Sequence, residues 1–181
     1  MEHVERSGTY YRVCGPDWAD CGDTSYSKEK GGRWNPPGSF GVLYLNKTRQ
    51  LAALQARLNF IGSPITLFDL KPERRPHLQS FVIPKHRVVD AVSDDGLTAL
   101  GLPTSYPHRV GHAVTQPIGQ AAFDAGEDGI AARSALQSTK PGEWYGEELA
   151  AFDRFAEEFV AGKRERFAEW YPRTREPGAM K

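Results

Sequence analysis

The sequence predicts an α+β fold in a single domain, for three reasons. Segments typical of strands outnumber segments typical of helices, and they do not alternate as in a doubly wound parallel sheet. The 181 residues fit one globular domain and contain no internal repeat or obvious linker. No glycine fingerprint follows a strand, and G-x-x-x-x-G-K-[ST] does not occur, so a Rossmann or P-loop nucleotide site is not expected.

The charge balance argues against a broad nucleic-acid-binding face. Lysine plus arginine and aspartate plus glutamate each number 23, which gives a formal net charge of zero. No apolar run approaches the length of a membrane span, and the N-terminus lacks a signal peptide's hydrophobic region. We therefore expect a cytoplasmic protein with no direct nucleic-acid or membrane partner. Cys14 and Cys21 do not have zinc-site spacing, and we expect two thiols in a reducing cytosol rather than a disulfide.

The strand predictions rest on β-branched and aromatic runs that end at glycine or proline. We predict strands over residues 9–14, 41–45, 63–70, 78–91 (interrupted at Pro84), 130–135 and 149–152, and a surface loop over residues 15–32.

Three longer helices are expected, and residues 92–112 are predicted to be loop and short helix. The first begins after Thr48 as N-cap, runs to about Phe60 and stops at Gly62. Its inward stripe is predicted to comprise Leu51, Leu54, Leu58 and Ile61. The second spans residues 114–125, opens near Pro117 and ends at Gly126. The third is a C-terminal amphipathic helix over residues 154–171, followed by a frayed tail at 172–181.

Four residues are candidates for a binding or catalytic role. Arg33 lies in GGRWNPPG, where glycines and prolines constrain the backbone, and its planar guanidinium suits phosphate; the alternative is a surface arginine in a turn. Tyr44 lies in the strand GVLYL and is either a core residue or a pocket wall. Gln55 shares the inward face of the first helix, so it either completes a hydrogen-bond network or faces a cavity. Ser134 follows a strand and is a weak candidate by itself.

Two further clusters are expected to be solvated surface. His108 and His112 have helical i, i+4 spacing, but Pro107 and Gly111 argue against a regular helix, so no metal site is predicted. The glutamates of the second cluster surround Trp144-Tyr145-Gly146. They are Glu143, Glu147 and Glu148.

The order of these motifs resembles the RES-domain family, named for an arginine, a glutamate and a serine in separate motifs. Arg33 matches the family's G-G-R-W-N motif, and Tyr44, eleven residues later, matches the tyrosine of the following strand. Ser134 closes the D-G-I-x-x-x-S segment, and Tyr11-Arg12 matches a Tyr-Arg of the first strand. The resemblance covers about residues 9–153, the expected core of one domain over 1–181.

The resemblance implies a split β-core flanked by helices, similar to ADP-ribosyltransferase toxins. It implies NAD as substrate, cleaved at the nicotinamide–ribose bond by an NAD phosphorylase or glycohydrolase, with phosphate or water as acceptor and no resident cofactor. Family members are commonly toxins of toxin–antitoxin systems, neutralised by a helix-turn-helix (Xre-type) antitoxin, and the assemblies include homo-oligomers.

The resemblance also implies roles for individual residues. Arg33 would grip the pyrophosphate or the incoming phosphate, Tyr44 would pack against nicotinamide or its ribose, and Ser134 would hydrogen-bond ribose or phosphate. Trp34 and Asn35, from the same motif as Arg33, would contribute to NAD binding, Trp34 as a stacking face.

Gln55 departs from the family, whose glutamate is expected at this position. Three explanations are open: a slow enzyme, one that uses another acid such as Glu147 or Glu148, or a deliberately inactivated variant. The leading hypothesis is NAD cleavage attenuated by Gln55. The alternatives are ADP-ribosyl transfer to a protein and an inactive module that binds NAD or a partner.

Overall fold

The computed structural model describes residues 1–58, 60, 62–135, 144 and 146–171. The strands are His3–Cys14 (β1), Val42–Asn46 (β2), His77–Ala91 (β3), Gly129–Arg133 (β4), Glu147–Phe152 (β5) and Val160–Glu165 (β6). The helices are Ser25–Lys30 (α1), Arg49–Leu58 (α2), Asp94–Ala99 (α3), His112–Asp124 (α4), Asp153–Ala156 (α5) and Phe167–Trp170 (α6), with a short 3₁₀ turn at Pro72–Arg74.

The described strands form one six-stranded sheet in the order β1-β2-β5-β4-β3-β6. The long strand β3 pairs with β1 along one edge, and its other edge carries β6 beside the first half and β4 beside the second half. The β3–β4 pairing is parallel, whereas β2, β5 and β4 pair antiparallel in turn. Contact of β1 with β2 at Tyr11 and Asn46 closes the ring of strands. The predicted α+β single domain, with a sheet core and flanking helices, is confirmed.

Both faces of the central strands are buried, because side chains alternate along a strand. On β2, Val42 and Tyr44 pack in the cluster that contains Trp34 and Phe152, whereas Leu43 and Leu45 pack in the cluster on the opposite face. The strand β5 follows the same alternation. This alternation decides which polar side chains at the strand ends can meet.

Two strand predictions require correction. Residues 63–70 are not a strand, because local hydrogen bonds hold them in turns: Asp69 Oδ2 accepts from Thr66 N at 2.7 Å and from Thr66 Oγ1 at 2.8 Å. Pro84 does not interrupt β3, because the register shifts by one residue opposite Ser7, and this bulge places the proline where no ladder hydrogen bond is needed.

The predicted loop 15–32 and the C-terminal helix 154–171 are also wrong in part. The loop contains α1, and the C-terminal segment is divided into α5, β6 and α6, with β6 paired to β3. A strand is favoured here because Val160 and Gly162 are poor helix formers. Gly162 also packs closely on Ser80 of β3, where a Cβ would lie 2.5 Å from the hydroxyl oxygen. The tail 172–181 lies outside the described residues.

Two helices differ from prediction in detail. Thr48 caps α2 as expected, since Leu51 N donates to its Oγ1 at 3.2 Å. The buried face of α2 is Leu51 with three alanines, whereas Leu54 is half-buried, Leu58 is 44% exposed, and Ile61 lies outside the described residues. The alanines, rather than Leu54 and Leu58, therefore form most of the buried face of this helix. The helix α4 begins at His112 and contains Pro117, rather than opening there.

Cys14 and Cys21 form a disulfide, contrary to the expectation of two free thiols. The turn after β1 brings their Cα atoms to 5.8 Å, and both side chains are buried. Among the described residues, no helix is long and apolar enough to cross a membrane.

Candidate functional site

A cleft of about 460 Å³ opens where β1, β2 and β5 meet α1 and α2. Three of the four principal predicted residues line it: Arg33, Tyr44 and Gln55. The other lining residues are Arg12, Val13, Trp18, Tyr26, Ser27, Gly31, Gly32, Leu58, Ala135 and Glu148.

The segment Gly31–Asn35 forms one wall, and α4 holds it in place. Gln116 Nε2 donates to the Gly32 carbonyl at 2.9 Å, and Thr115 Oγ1 donates to the Arg33 carbonyl. Gly119 lies so close to the Trp34 carbonyl that a Cβ there would overlap it. Gly32 itself packs on the Tyr44 ring, where a Cβ would lie 2.5 Å from the hydroxyl oxygen. Glycine is therefore required at both contacts.

Trp34 and Asn35 lie beneath the cleft rather than in it. Trp34 is 1% exposed and packs against Tyr106, with ring centroids 6.0 Å apart. Asn35 Nδ2 donates to the carbonyls of Ser27 and Phe40 at 2.6 and 3.0 Å. The expected stacking face of Trp34 is thus occupied by the core, and both side chains shape the loop that presents Arg33.

Tyr44 combines the two roles that the sequence left open. Its ring lines the cleft, and its hydroxyl donates to Asn35 Oδ1 and accepts from Trp34 N, both at 2.9 Å. Burial raises the pKa of Tyr44, so the hydroxyl stays protonated at neutral pH. The hydroxyl therefore ties the β2 strand to the arginine loop.

We predict that Tyr44→Phe lowers the free energy of unfolding by about 1–3 kcal/mol, because it leaves a buried backbone N–H and a buried amide oxygen without this partner. Denaturant unfolding followed by circular dichroism measures the change. Tyr26→Phe is the control, because Tyr26 is 65% exposed and its substitution should change stability by less than about 0.5 kcal/mol. Equal stability of Tyr44→Phe and the unsubstituted protein would contradict the role given to the hydroxyl.

Arg33 is half-buried, and Nη1 donates to the Val110 carbonyl at 3.0 Å. This anchor fixes the direction of the guanidinium, which lines the cleft together with Glu148. Arg33 brings a permanent positive charge next to that carboxyl group, and this charge favours the ionised form of Glu148.

Glu148 lies in the cleft, although the sequence placed it in a solvated acidic cluster. It pairs directly with Asn46 across the β2–β5 ladder, so its side chain shares a sheet face with Tyr44. One carboxylate oxygen accepts from Ser134 Oγ. Burial raises the pKa of Glu148, and the Ser134 hydrogen bond and the charge of Arg33 oppose that rise. Strand alternation could have identified the residue once its pairing partner was known.

Glu147, the neighbouring acid, faces the other side of the sheet. Its carboxylate accepts from Arg6 Nε at 2.6 Å, from Arg6 Nη2 at 2.7 Å and from the Tyr10 hydroxyl at 3.0 Å. It therefore ties β5 to β1 and does not reach the cleft. Glu143 lies outside the described residues.

Ser134 does not line the cleft but contacts Glu148, which does. It is fully buried directly after β4, and its backbone N donates to the Gly146 carbonyl at 2.8 Å. Its hydroxyl donates to Glu148, so it orients that carboxylate rather than reaching ribose or phosphate as the resemblance implies.

Gln55 both joins a network and lines the cleft, which were the two options left open by the sequence. Its Oε1 accepts from Asn46 Nδ2 at 2.6 Å. Asn46 in turn lies directly opposite Glu148 on the ladder. The neutral amide of Gln55 and the carboxyl group of Glu148 thus occupy adjoining parts of one wall.

Of the two histidines predicted to be surface residues, His112 at the start of α4 is exposed, and His108 in the preceding turn is half-buried. Among the residues that the structure describes, no three side chains of the His, Cys, Asp or Glu types are grouped to hold a metal ion.

Comparison with known proteins agrees with the fold and with the family that the sequence resembles. The RES domain model matches residues 9–174. Among solved structures, the chain is similar to one in the crystal structure of the M. tuberculosis MbcT–MbcA toxin–antitoxin complex, with a TM-score of 0.73 and 21% identity over 91% of this chain and 86% of that chain. A comparison with curated proteins gave no match. Because the family model covers most of its length, the chain belongs to the RES domain family.

Proposed function

We propose that this RES-domain chain cleaves NAD at the nicotinamide–ribose bond and acts as the toxin of a toxin–antitoxin pair. The observation that carries the proposal is the buried carboxyl group of Glu148, which accepts a hydrogen bond from Ser134 and shares the cleft with Arg33, Tyr44 and Gln55. Glu148, on β5, would provide the negative charge that the neutral amide of Gln55 cannot provide.

The proposed reaction breaks the bond between the ribose C1′ and the ring nitrogen of nicotinamide. The bonding electron pair goes to that nitrogen, which becomes neutral, so the leaving group needs no proton. Positive charge then develops on the ribose as an oxocarbenium ion, and a nearby carboxylate stabilises it. Phosphate or water adds to C1′, and the proton of an attacking water passes to solvent.

Each cleft residue has a part that suits its side chain. The carboxylate form of Glu148, which the Ser134 hydrogen bond and the charge of Arg33 favour, is the species assigned to face the developing charge. Arg33 offers parallel N–H donors to the diphosphate or to incoming phosphate. Tyr44 packs against nicotinamide or its ribose, and Gln55 hydrogen-bonds a ribose hydroxyl. Ser134 is a positioning residue that acts through Glu148. On this account Gln55 lowers the rate and does not abolish the reaction.

The partner and the compartment follow from the same proposal. The similar structure is described as a toxin–antitoxin complex, which supports an antitoxin partner for this chain, and the family resemblance favours a helix-turn-helix type. A toxin that depletes NAD acts in the cytoplasm, where the NAD pool lies.

The test is incubation of the purified chain with NAD, with and without phosphate, followed by chromatography and mass spectrometry of the products. We expect nicotinamide and either ADP-ribose or its phosphorylated form. Radiolabelled NAD with a cell lysate addresses the acceptor, because labelled protein bands would identify transfer to protein instead. Binding of NAD without any product would contradict the proposal and identify a non-catalytic module.

A further inference from the structure

A second chamber adjoins the cleft and shares two of its walls. It has a volume of about 410 Å³ and is lined by Trp18, Ala19, Asp20, Asp23 and Tyr26. Trp18 and Tyr26 also line the cleft, so the two chambers meet at this aromatic pair. Both volumes lie in the range of small-molecule sites.

Both shared aromatic residues are exposed, although hydrogen bonds from Arg164 hold the turn that contains Trp18. Trp18 is 43% exposed and Tyr26 is 65% exposed. Arg164 Nη1 donates to the Trp18 carbonyl at 2.7 Å, and Arg164 Nη2 donates to the Gly15 carbonyl at 3.0 Å. Two large aromatic side chains that are exposed beside the same concave spaces suit the binding of a flat ring.

Arg12 lies at the junction of the two chambers. Its Nη1 donates to the carbonyls of Cys21 and Asp23 at 2.9 and 3.2 Å, and its guanidinium lies 5.4 Å from the centre of the Trp18 ring. Burial lowers the pKa of Arg12 to about 10, so the group remains cationic at neutral pH. The junction therefore carries a fixed positive charge between two aromatic-walled spaces.

We propose that the Trp18–Tyr26 chamber is the adenosine subsite for the dinucleotide cleaved in the main cleft. Purine rings stack on aromatic side chains. The carboxylates of Asp20 and Asp23 are oriented by hydrogen bonds from Gly22 N and from Ser25, and their remaining lone pairs can accept from the exocyclic amine or the ribose hydroxyls. Arg12 then lies where the diphosphate passes between the halves. The inference rests on the proposed function for the chemistry but not for adenosine binding itself.

The kinetic test compares NAD with nicotinamide mononucleotide, which lacks the adenosine half. Base stacking is worth about 1–3 kcal/mol per base, which corresponds to about 5–150-fold in affinity. We expect Trp18→Ala to raise KM for NAD by a factor in this range and to lower the ratio of kcat/KM for NAD to that for the mononucleotide by a similar factor. Trp18→Phe should restore most of the ratio. Phe68→Ala, which removes a 48% exposed aromatic side chain outside both chambers, is the matched control and should keep the ratio.

A binding test separates this inference from the proposed function. Calorimetry with adenosine monophosphate should show binding to the unsubstituted protein and at least fivefold weaker binding to Trp18→Ala, whether or not the protein cleaves NAD. If adenosine monophosphate binds in a Trp18-dependent way but no nicotinamide is released from NAD, the proposed chemistry is refuted and the subsite stands. Adenosine monophosphate that does not bind, or that binds Trp18→Ala equally well, would overturn the subsite, as would an unchanged ratio between the two substrates.

Discussion

Glu148→Gln is expected to lower kcat for nicotinamide release from NAD by about 10²–10³-fold in a protein that still folds. Loss of one preorganised electrostatic contact to the transition state has this typical effect. The glutamine keeps the size of the side chain and an oxygen that can accept from Ser134, so the wall of the cleft is preserved. Initial rates at saturating NAD measure the change, and circular dichroism checks the fold.

Glu147→Gln is the matched control, one residue away on the opposite face of the sheet. It weakens the contact with Arg6 and Tyr10, so it should reduce stability while the folded fraction keeps its activity. If both variants lose activity equally, or if Glu148→Gln keeps full activity, the carboxylate assignment is wrong.

The role assigned to Glu148 also predicts how activity and stability depend on pH. Burial raises its pKa, so the loss of activity on acidification should begin at a higher pH than for an ordinary glutamate. The folded state binds this proton more tightly than the unfolded state, so the contribution of Glu148 to stability falls as pH rises from the ordinary glutamate pKa through the raised value. Glu148→Gln lacks this titration and is expected to be at least as stable as the unsubstituted protein at neutral pH.

Gly119→Ala is expected to destabilise the protein by about 1–3 kcal/mol and to reduce kcat/KM as well. The added methyl group would overlap the Trp34 carbonyl, and Trp34 is too deeply buried to move alone. The helix α4 would instead shift and draw Thr115 and Gln116 away from the arginine loop. Denaturant unfolding and the NAD assay measure the two effects.

Gly111→Ala tests whether the effect belongs to this contact. Gly111 has φ of −92° at the N-cap of the same helix, and a Cβ there would meet no atom within 4 Å. Alanine is a poorer N-cap than glycine, so this substitution should cost at most about 1 kcal/mol, and it should leave kcat/KM unchanged. If Gly119→Ala lowers stability and kcat/KM as little as Gly111→Ala does, the contact between α4 and the arginine loop does not have the role given to it here.

The fold was predictable where local pattern and tertiary role agree. The strands near residues 9–14, 41–45 and 149–152 have buried apolar side chains with glycine or proline at their ends, and the structure contains each of them. The stretch 154–171 was misassigned because its aromatic spacing resembles a helix face. Its aromatic residues in fact divide between two clusters, with Phe155 in one and Trp170 in another.

The candidate site was predictable in part. Residue type and motif order pointed to Arg33, Tyr44 and Gln55, which the structure brings into one cleft. Adjacent acids such as Glu147 and Glu148 cannot be told apart until their strand is paired, because alternation sends them to opposite faces. The support from Gln116 could not be foreseen either, since it bridges 84 positions along the chain to Gly32.

The most direct test of the central claim, that Glu148 supplies the carboxylate for NAD cleavage, is a parallel measurement of nicotinamide release by the unsubstituted protein, Glu148→Gln and Gln55→Glu. The account predicts release by the unsubstituted protein, faster release by Gln55→Glu and near-complete loss in Glu148→Gln. Release by Gln55→Glu alone, with none from the unsubstituted protein with or without phosphate, would place the required acid on α2 and contradict the account.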